Sequence, residues 1–551
     1  MRREFLIGGA LAVLAAATPA VALPADYKAK ADALLAQSYA ANGPGASVVI
    51  SQGGKIVYQG NRGMADVATK RPITADAVFR IGSITKQFSA AVVLQLAAEG
   101  KLKLSDPLAK YLPAYPNASA ITVQQLLNHT SGIQSYTGIP GWMVEAKTNK
   151  AYTTEQLIAE FKDQPAPSKP GEKWDYNNSG YVLVGALIEA VTGNRWSDEV
   201  ARRIAKPLGL ASIADGVREG EVAAMATGYT SGEKGPDLAR KIHMSVPAAA
   251  GALIGHVGDL ATWANALHHG KVVPAPYYAQ MIAPTKLPDG HVEQYGFGIA
   301  PATLRGVPAI GHSGGIFGFA SDSLYVPGND LFIAILTNTD RADVSQGTVM
   351  RKLAAMAIGK PFVALPTLPY EAKTVEPFLG VYKFDGRERT ILMQEGKLAV
   401  RRGEGPVTEV FAAGNDRFHY GVDELSWFEM RRDAAGKPVM AFHRNGDDEV
   451  GLGTWSGPPP IEAAAFAVPS ALLASYAGSY TTPIGKAKVA VAGDAITVQL
   501  AGQPPFPLKA VGPADFTVTQ VGAKVRFVST GGKVTALEIL QGGRTLPGTR
   551  D

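Results

Sequence analysis

Between Ile81 and Ala98 the chain carries one charged residue, Lys86, in a run that opens Phe79-Arg80-Ile81-Gly82-Ser83-Ile84-Thr85-Lys86-Gln87-Phe88. The pattern predicts a helix that is apolar nearly all the way round from Ser89 to Ala98, so it has no face to offer to water and must be enclosed by the rest of the fold. Glu99-Gly100 supplies its stop. A lysine on such a helix is expensive, because desolvation disfavours the ammonium and lowers its pKa. Ser83 stands three residues earlier, a spacing that puts both side chains on one helix face. A serine hydroxyl beside a lysine that can lose its proton is an activated nucleophile.

The remainder of the chain bounds that idea. At 551 residues it exceeds the size at which single cores stop growing, roughly 250–300 residues. Hydrophobic residues at 46% and charged ones at 18% describe globular domains. The net charge of +5 comes without a Lys/Arg run or a basic helix, so a nucleic-acid partner is not expected. Cysteine is absent, which excludes disulfides, thiolate metal sites and a Cys nucleophile together. No metal cluster or nucleotide loop is evident, and no cofactor is expected.

Residues 1–22 read as a twin-arginine export signal: Arg2-Arg3-Glu4-Phe5-Leu6, an apolar stretch to Ala17, and a small-residue cleavage site at Ala20-Val21-Ala22. The apolar stretch falls short of the ~20 residues that a membrane span needs. A periplasmic or secreted protein without a stable membrane span is expected, its oligomeric state open.

Ala25 to Ala41 has the spacing of an amphipathic helix, and Ala46–Ser51 and Lys55–Gln59 flank a Gln52-Gly53-Gly54 turn as a hairpin. Helical patterns dominate to about Leu267, and short β-rich runs return at Ser323–Val326 and Leu331–Thr337. Strands at both ends with helices between predict an α+β (α/β sandwich) catalytic domain over residues 23–359, built on a mainly antiparallel sheet that chain-distant strands complete. Beyond Pro361, proline-punctuated linkers separate two segments rich in short strands, 360–456 and 463–551. These repeat each other at an offset of 98: Gly380 and Tyr382 against Gly478 and Tyr480, Phe418 against Phe516. Two small all-β, barrel-like domains are expected.

Ser-x-x-Lys alone is a weak signal, and Ser231-Gly232-Glu233-Lys234 repeats it in a Gly- and Pro-rich stretch that cannot form a buried helix. Two further segments strengthen the case. Trp174-Asp175-Tyr176-Asn177-Asn178 precedes an apolar helix, Tyr181–Val191, so that Tyr176 and Asn178 on a turn could both point into a cleft. Nearby cations could lower the tyrosine's pKa enough for it to exchange a proton with serine. Ile310-Gly311-His312-Ser313-Gly314-Gly315 enters a strand whose glycines allow close approach of a substrate backbone and an N–H for an oxyanion. Tyr115-Pro116-Asn117, His256-Val257-Gly258 and His268-His269-Gly270 share the bare spacings but lie in a loop, before the helix Leu260–Leu267 with Asp259 as its expected N-cap, and at that helix's end. His129, in Leu126-Leu127-Asn128-His129-Thr130-Ser131-Gly132, reads as a structural histidine at a helix end.

In this order the three elements, with Pro207-Leu208-Gly209-Leu210 and Tyr295-Gly296-Phe297-Gly298, resemble the serine β-lactamase and penicillin-binding-protein superfamily in its class C-like branch. The two trailing β-domains resemble the layout of its D-aminopeptidases. The resemblance implies Ser83 as acylated nucleophile, Lys86 as base or proton relay and Tyr176 as proton exchanger. It implies Asn178 on the substrate amide, and Ser83 N–H with Gly315 N–H as the oxyanion hole, His312 and Gly314 bordering it. His312 stands where dedicated β-lactamases of this branch have lysine in Lys-Thr-Gly, which resembles D-stereospecific peptidases and related esterases. The expected function is an acyl-enzyme hydrolase of a small-molecule or peptide substrate, of D-aminopeptidase or D-Ala-D-Ala carboxypeptidase type. Esterase and β-lactamase activities are the alternatives within the superfamily, and a non-catalytic sensor or binding module is the alternative outside enzymes.

Overall fold

The computed structural model describes residues 23–551 except 233–234, 385, 404, 422–423, 447–448, 461–465, 484, 501–504, 519–520 and 542–543. The expected export signal and Lys234 of the second Ser-x-x-Lys therefore lie outside the described residues.

Six strands form the sheet that carries the site: β1 (Ala46–Gln52), β2 (Lys55–Arg62), β3 (Ala300–Leu304), β4 (Val307–Ile316), β5 (Phe319–Val326) and β6 (Leu331–Thr337). Their order is β3-β4-β5-β6-β1-β2, every neighbouring pair antiparallel. The expected joining of chain-distant strands is the β1–β6 pair, with Val48 opposite Ile335. β6 is buried along its whole length because both faces of the sheet are covered. Ile333 and Ile335 face one way, against α1 (Tyr27–Ser38) and a helix near residue 350. Ala334 and Leu336 face the opposite core, which holds the helices of the site.

On that second face lie α2 (Thr85–Ala98), α3 (Asn178–Thr192) and α4 (Val257–His268). Of the fourteen residues of α2, all but Gln95 and Ala98 are buried. Phe88 stacks on Trp263 of α4 at 4.1 Å between centroids, and the Trp263 indole donates to Gln87 Oε1 at 3.1 Å. Helix α3 starts three residues earlier than expected, at Asn178 itself, because Asn177 caps it by accepting from Gly180 N at 2.9 Å. Helix α4 also starts early: His256, not Asp259, is its N-cap, the ring Nδ1 accepting from Asp259 N at 3.1 Å. The Asp259 carboxylate is occupied elsewhere, by the backbone and hydroxyl of Ser212 at 2.7 Å each.

The two C-terminal segments are nine-stranded antiparallel sheets of identical connectivity. In each, the first and last strands pair, through Tyr382 and Trp455 in one and Tyr480 and Arg550 in the other, so each sheet curls into a nearly closed barrel. The repeat at offset 98 has a structural cause. The Tyr382 hydroxyl donates to Phe378 O and the Tyr480 hydroxyl to Tyr476 O, both at 2.7 Å, anchoring the first strand of each barrel to the segment before it. Arg305 Nη1 ties the catalytic domain to the first barrel through Gly446 O at 2.9 Å, and Pro483 of the second barrel lies against Gly141. Among the described residues no helix is long and apolar enough to cross a membrane.

Candidate active site

Ser83 sits on a single 3₁₀ turn, Gly82–Ile84, immediately before α2, rather than on the helix itself. Gly82 has φ +53°, a backbone region that glycine occupies without cost. A Cβ there would meet Gly315 N at 2.9 Å, so the turn presses directly against β4. From the first turn of α2, Lys86 is wholly buried. Its Nζ lies 3.1 Å from Ser83 Oγ, 2.9 Å from Asn178 Oδ1 and 2.8 Å from Ala250 O. Burial holds its pKa well below the ordinary 10.5.

Hydrogen-bond arithmetic then fixes what each partner does. A neutral amine has two N–H groups and one lone pair. The carbonyls of Asn178 and Ala250 can only accept, so they take the two N–H groups. The lone pair is left for the Ser83 hydroxyl proton. In the ammonium form all three partners accept, so no charge is stranded when the proton arrives.

Tyr176 approaches from the other side and lines the cleft beside Ser83, whose hydroxyl acts to lower the phenol's pKa. Its pKa moves opposite to the sequence expectation. Burial pushes it up, and the Lys86 amine lies over the face of the ring, 4.8 Å from its centroid. Tyr176 is thus held as a neutral phenol, a proton donor. Asn178 is divided between Lys86 at its oxygen and Thr137 Oγ1, to which Nδ2 donates at 3.2 Å.

β4 supplies the opposite wall. At Gly314 a Cβ would lie 2.3 Å from Ile81 O and 2.9 Å from Ser83 N, so only glycine lets the strand pack on the nucleophile turn. Gly315 and Ser83 both line the cleft. His312 Nδ1 is 2.6 Å from Ser313 O, an obligate acceptor, which makes Nδ1 the protonated nitrogen. Nε2 therefore accepts, and the Tyr295 hydroxyl donates to it at 2.8 Å. Burial lowers the His312 pKa to about 4, with the nearby Lys86 adding to the effect.

The structure thus brings Ser83, Lys86, Tyr176, Asn178, His312, Gly314 and Gly315 together around one cleft. The Tyr295-Gly296-Phe297-Gly298 segment, which no local pattern places in the site, joins it as well. Tyr295, from the Tyr-Gly-Phe-Gly segment, lines the cleft beside His312. The last glycine of that segment, Gly298, would place a Cβ 2.6 Å from Lys86 O, so the segment is pressed onto the first turn of α2. His129 is structural as expected, but it supports the site: Nδ1 accepts from Asn177 N at 3.1 Å, and its ring lies 4.4 Å from that of Tyr176. A histidine packed under a tyrosine leaves no periodic trace in sequence.

Known proteins are similar to this chain in sequence and fold. Penicillin-binding protein 4* of Bacillus subtilis (strain 168) is 24% identical over 436 residues, covering 74% of this chain and 94% of that protein. Esterase EstB of Burkholderia gladioli is 29% identical over 230 residues, 38% of this chain and 56% of the esterase. A D-stereospecific amidohydrolase from Streptomyces sp. superposes with a TM-score of 0.52 at 31% identity, over 60% of this chain and 98% of that one. The Beta-lactamase family model matches residues 31–355, more than half of the chain, and the chain belongs to that family of serine hydrolases.

Proposed function

We propose that the chain is an acyl-transfer hydrolase in which Ser83 is the nucleophile, and that it acts on a D-configured amide or peptide. The observation that carries the first part is the environment of Lys86: a buried amine whose other two contacts are carbonyl oxygens, with its lone pair turned to Ser83 Oγ at 3.1 Å. Lys86 takes the hydroxyl proton as Oγ attacks the substrate carbonyl. The oxyanion that forms is received by the backbone N–H groups of Ser83 and Gly315. Tyr176, a neutral phenol at Ser83, protonates the departing nitrogen or oxygen, and the Lys86–Tyr176 relay runs in reverse when water attacks the acyl-enzyme.

The D-amide reading rests on the likeness to the Streptomyces D-stereospecific amidohydrolase, which this chain covers nearly whole. Ester hydrolysis is the second reading, supported by the similarity to EstB and by acyl chemistry common to both substrates. Export through the twin-arginine route is proposed on Arg2-Arg3 and the apolar stretch that follows. A fluorophosphonate probe tests the nucleophile. It is expected to label the wild type once, at Ser83, and to leave Ser83→Ala unlabelled; labelling that persists in Ser83→Ala contradicts the assignment. An N-acetyl-D-alanyl anilide assayed beside its L-enantiomer and a nitrophenyl butyrate separates the two substrate readings.

A further inference from the structure

The cleft has two chambers that meet at Ser83 and Gly315. The smaller, about 140 Å³, is walled largely by Tyr136, Met143, Ile242, Val246, Ile316 and Phe317. The larger, about 380 Å³, is walled by the aromatic side chains Tyr176, Tyr295 and His312 together with Ser313. Neither chamber is lined by an Asp, Glu, Lys or Arg among the described residues. His312 is fixed as a neutral imidazole by Ser313 O and the Tyr295 hydroxyl, and burial keeps the phenols of Tyr136, Tyr176 and Tyr295 neutral. A charged substituent brought into such walls gives up its hydration without meeting a counter-charge, which is strongly unfavourable.

The chambers also differ in which side of the scissile bond they can serve. Tyr176 lines the aromatic chamber and not the small one. A group that protonates the leaving atom must stand on the leaving-group side, so the aromatic chamber takes the leaving group and the small chamber the acyl substituent. The small chamber is close in volume to an apolar cavity of ~150 Å³ that holds one benzene molecule.

We propose that this site selects substrates uncharged on both sides of the scissile bond, with one apolar acyl substituent of about benzene size in the Ile242–Phe317 chamber and a neutral leaving group among Tyr176, Tyr295 and His312. The proposal rests on Ser83 hydrolase chemistry and specifies its substrate class. Free carboxylates next to the scissile bond, as in a peptide cleaved at its last residue, are disfavoured; amides with a neutral amine leaving group and simple esters are favoured. A cation does stand at the rim: exposed Arg240 donates to Met143 O at 2.8 Å and lies 4.7 Å over the Phe317 ring. It ties the two walls of the small chamber together from outside.

Two substrate series on the full-length protein test the proposal. The first pairs phenylacetyl esters of 3-hydroxybenzamide and 3-hydroxybenzoate, which differ in one charge on the leaving group. The expected kcat/KM is at least tenfold higher for the benzamide; equal or faster turnover of the benzoate overturns the proposal, and a benzoate preference that vanishes in Arg240→Gln would place recognition at the rim instead. The second runs nitrophenyl esters from acetate through butyrate and phenylacetate to decanoate. An optimum at butyrate to phenylacetate is expected, moving to acetate in Ile242→Trp; a rate that keeps rising to decanoate in the wild type overturns the size assignment. Fluorophosphonate labelling of the same samples separates the two levels. Protein that labels at Ser83 but prefers charged substrates refutes the substrate class alone, whereas protein that neither labels nor turns over any ester refutes the hydrolase reading beneath it.

Discussion

The Tyr295 hydroxyl donates to His312 Nε2 at 2.8 Å, joining a loop residue to the strand that walls the cleft. Because Nδ1 of the same ring is committed to Ser313 O, the pair behaves as one neutral unit. Removing the hydroxyl in Tyr295→Phe leaves a buried imidazole nitrogen without a donor, which costs about 1–3 kcal/mol. Denaturant unfolding of Tyr295→Phe is expected to show that loss with an unchanged m-value; a variant as stable as wild type would mean the pair contributes nothing.

The same pair makes stability depend on pH. Burial lowers the folded-state pKa of His312 to about 4, against an ordinary value of 6.5. As pH falls from 6.5 towards 4 the unfolded chain takes up a proton that the folded chain refuses, so stability is full above 6.5 and is lost through that window. The contribution of the ring is on the order of 3 kcal/mol. In His312→Gln this dependence is absent. The stability difference between wild type and variant is expected to shrink steadily between pH 7 and 4; a constant difference would show that His312 does not titrate differently on folding.

Neighbouring glycines of β4 are expected to behave oppositely. An alanine at Gly314 meets Ile81 O at 2.3 Å and presses on the backbone of the nucleophile itself, whereas the Cβ position at Gly315 is open. Gly314→Ala is expected to lose kcat/KM by about a hundredfold or more, the scale on which a misplaced reacting group acts, and to lose stability, whereas Gly315→Ala, whose methyl meets no protein atom, is expected to unfold at the wild-type denaturant midpoint. Steady-state kinetics of Gly314→Ala and denaturant unfolding of both variants check this directly.

Tyr176→Phe keeps the ring that packs on His129 at 4.4 Å and removes the proton donor. Its fold is expected to be intact by circular dichroism while kcat falls by ~10²–10⁴, the usual worth of general acid–base assistance. Turnover at the wild-type rate would assign leaving-group protonation elsewhere.

Much of this site was legible in the sequence, and the reasons differ by residue. The burial of Lys86 followed from a run with no polar face, and the barrels followed from a repeat whose tyrosines make the same hydrogen bond, Tyr382 to Phe378 and Tyr480 to Tyr476. Tyr176 and His312 were placed by motif order and family resemblance rather than by any local physical signal. Their states were not legible. The neutral state of Tyr176 depends on its burial, which outweighs the opposing effect of the Ser83 hydroxyl. The neutrality of His312 depends on Tyr295, seventeen residues away and outside any helical or strand period. The start of α4 was misjudged because a histidine ring nitrogen caps it, and the Asp259 side chain that looked like the cap is engaged by Ser212.

Lys86 as the base predicts a pH profile as well as a loss. Since its pKa is held well below 10.5 and the neutral amine is the active form, kcat/KM is expected to rise with pH along a limb centred well below 10.5. A limb at the ordinary lysine value would contradict a desolvated base.

The most direct measurement is the rate at which Ser83 becomes acylated, followed by time-resolved intact-protein mass spectrometry with nitrophenyl butyrate. Wild-type protein is expected to accumulate one butyryl group, mapped to Ser83, before steady state. Lys86→Met, uncharged and similar in length, should acylate at least a thousandfold more slowly while remaining folded, because Tyr176, the other group beside Ser83, is held as a neutral phenol and cannot take the Ser83 proton. Acylation of Lys86→Met at the wild-type rate, or a butyryl group found on a residue other than Ser83, would contradict the account.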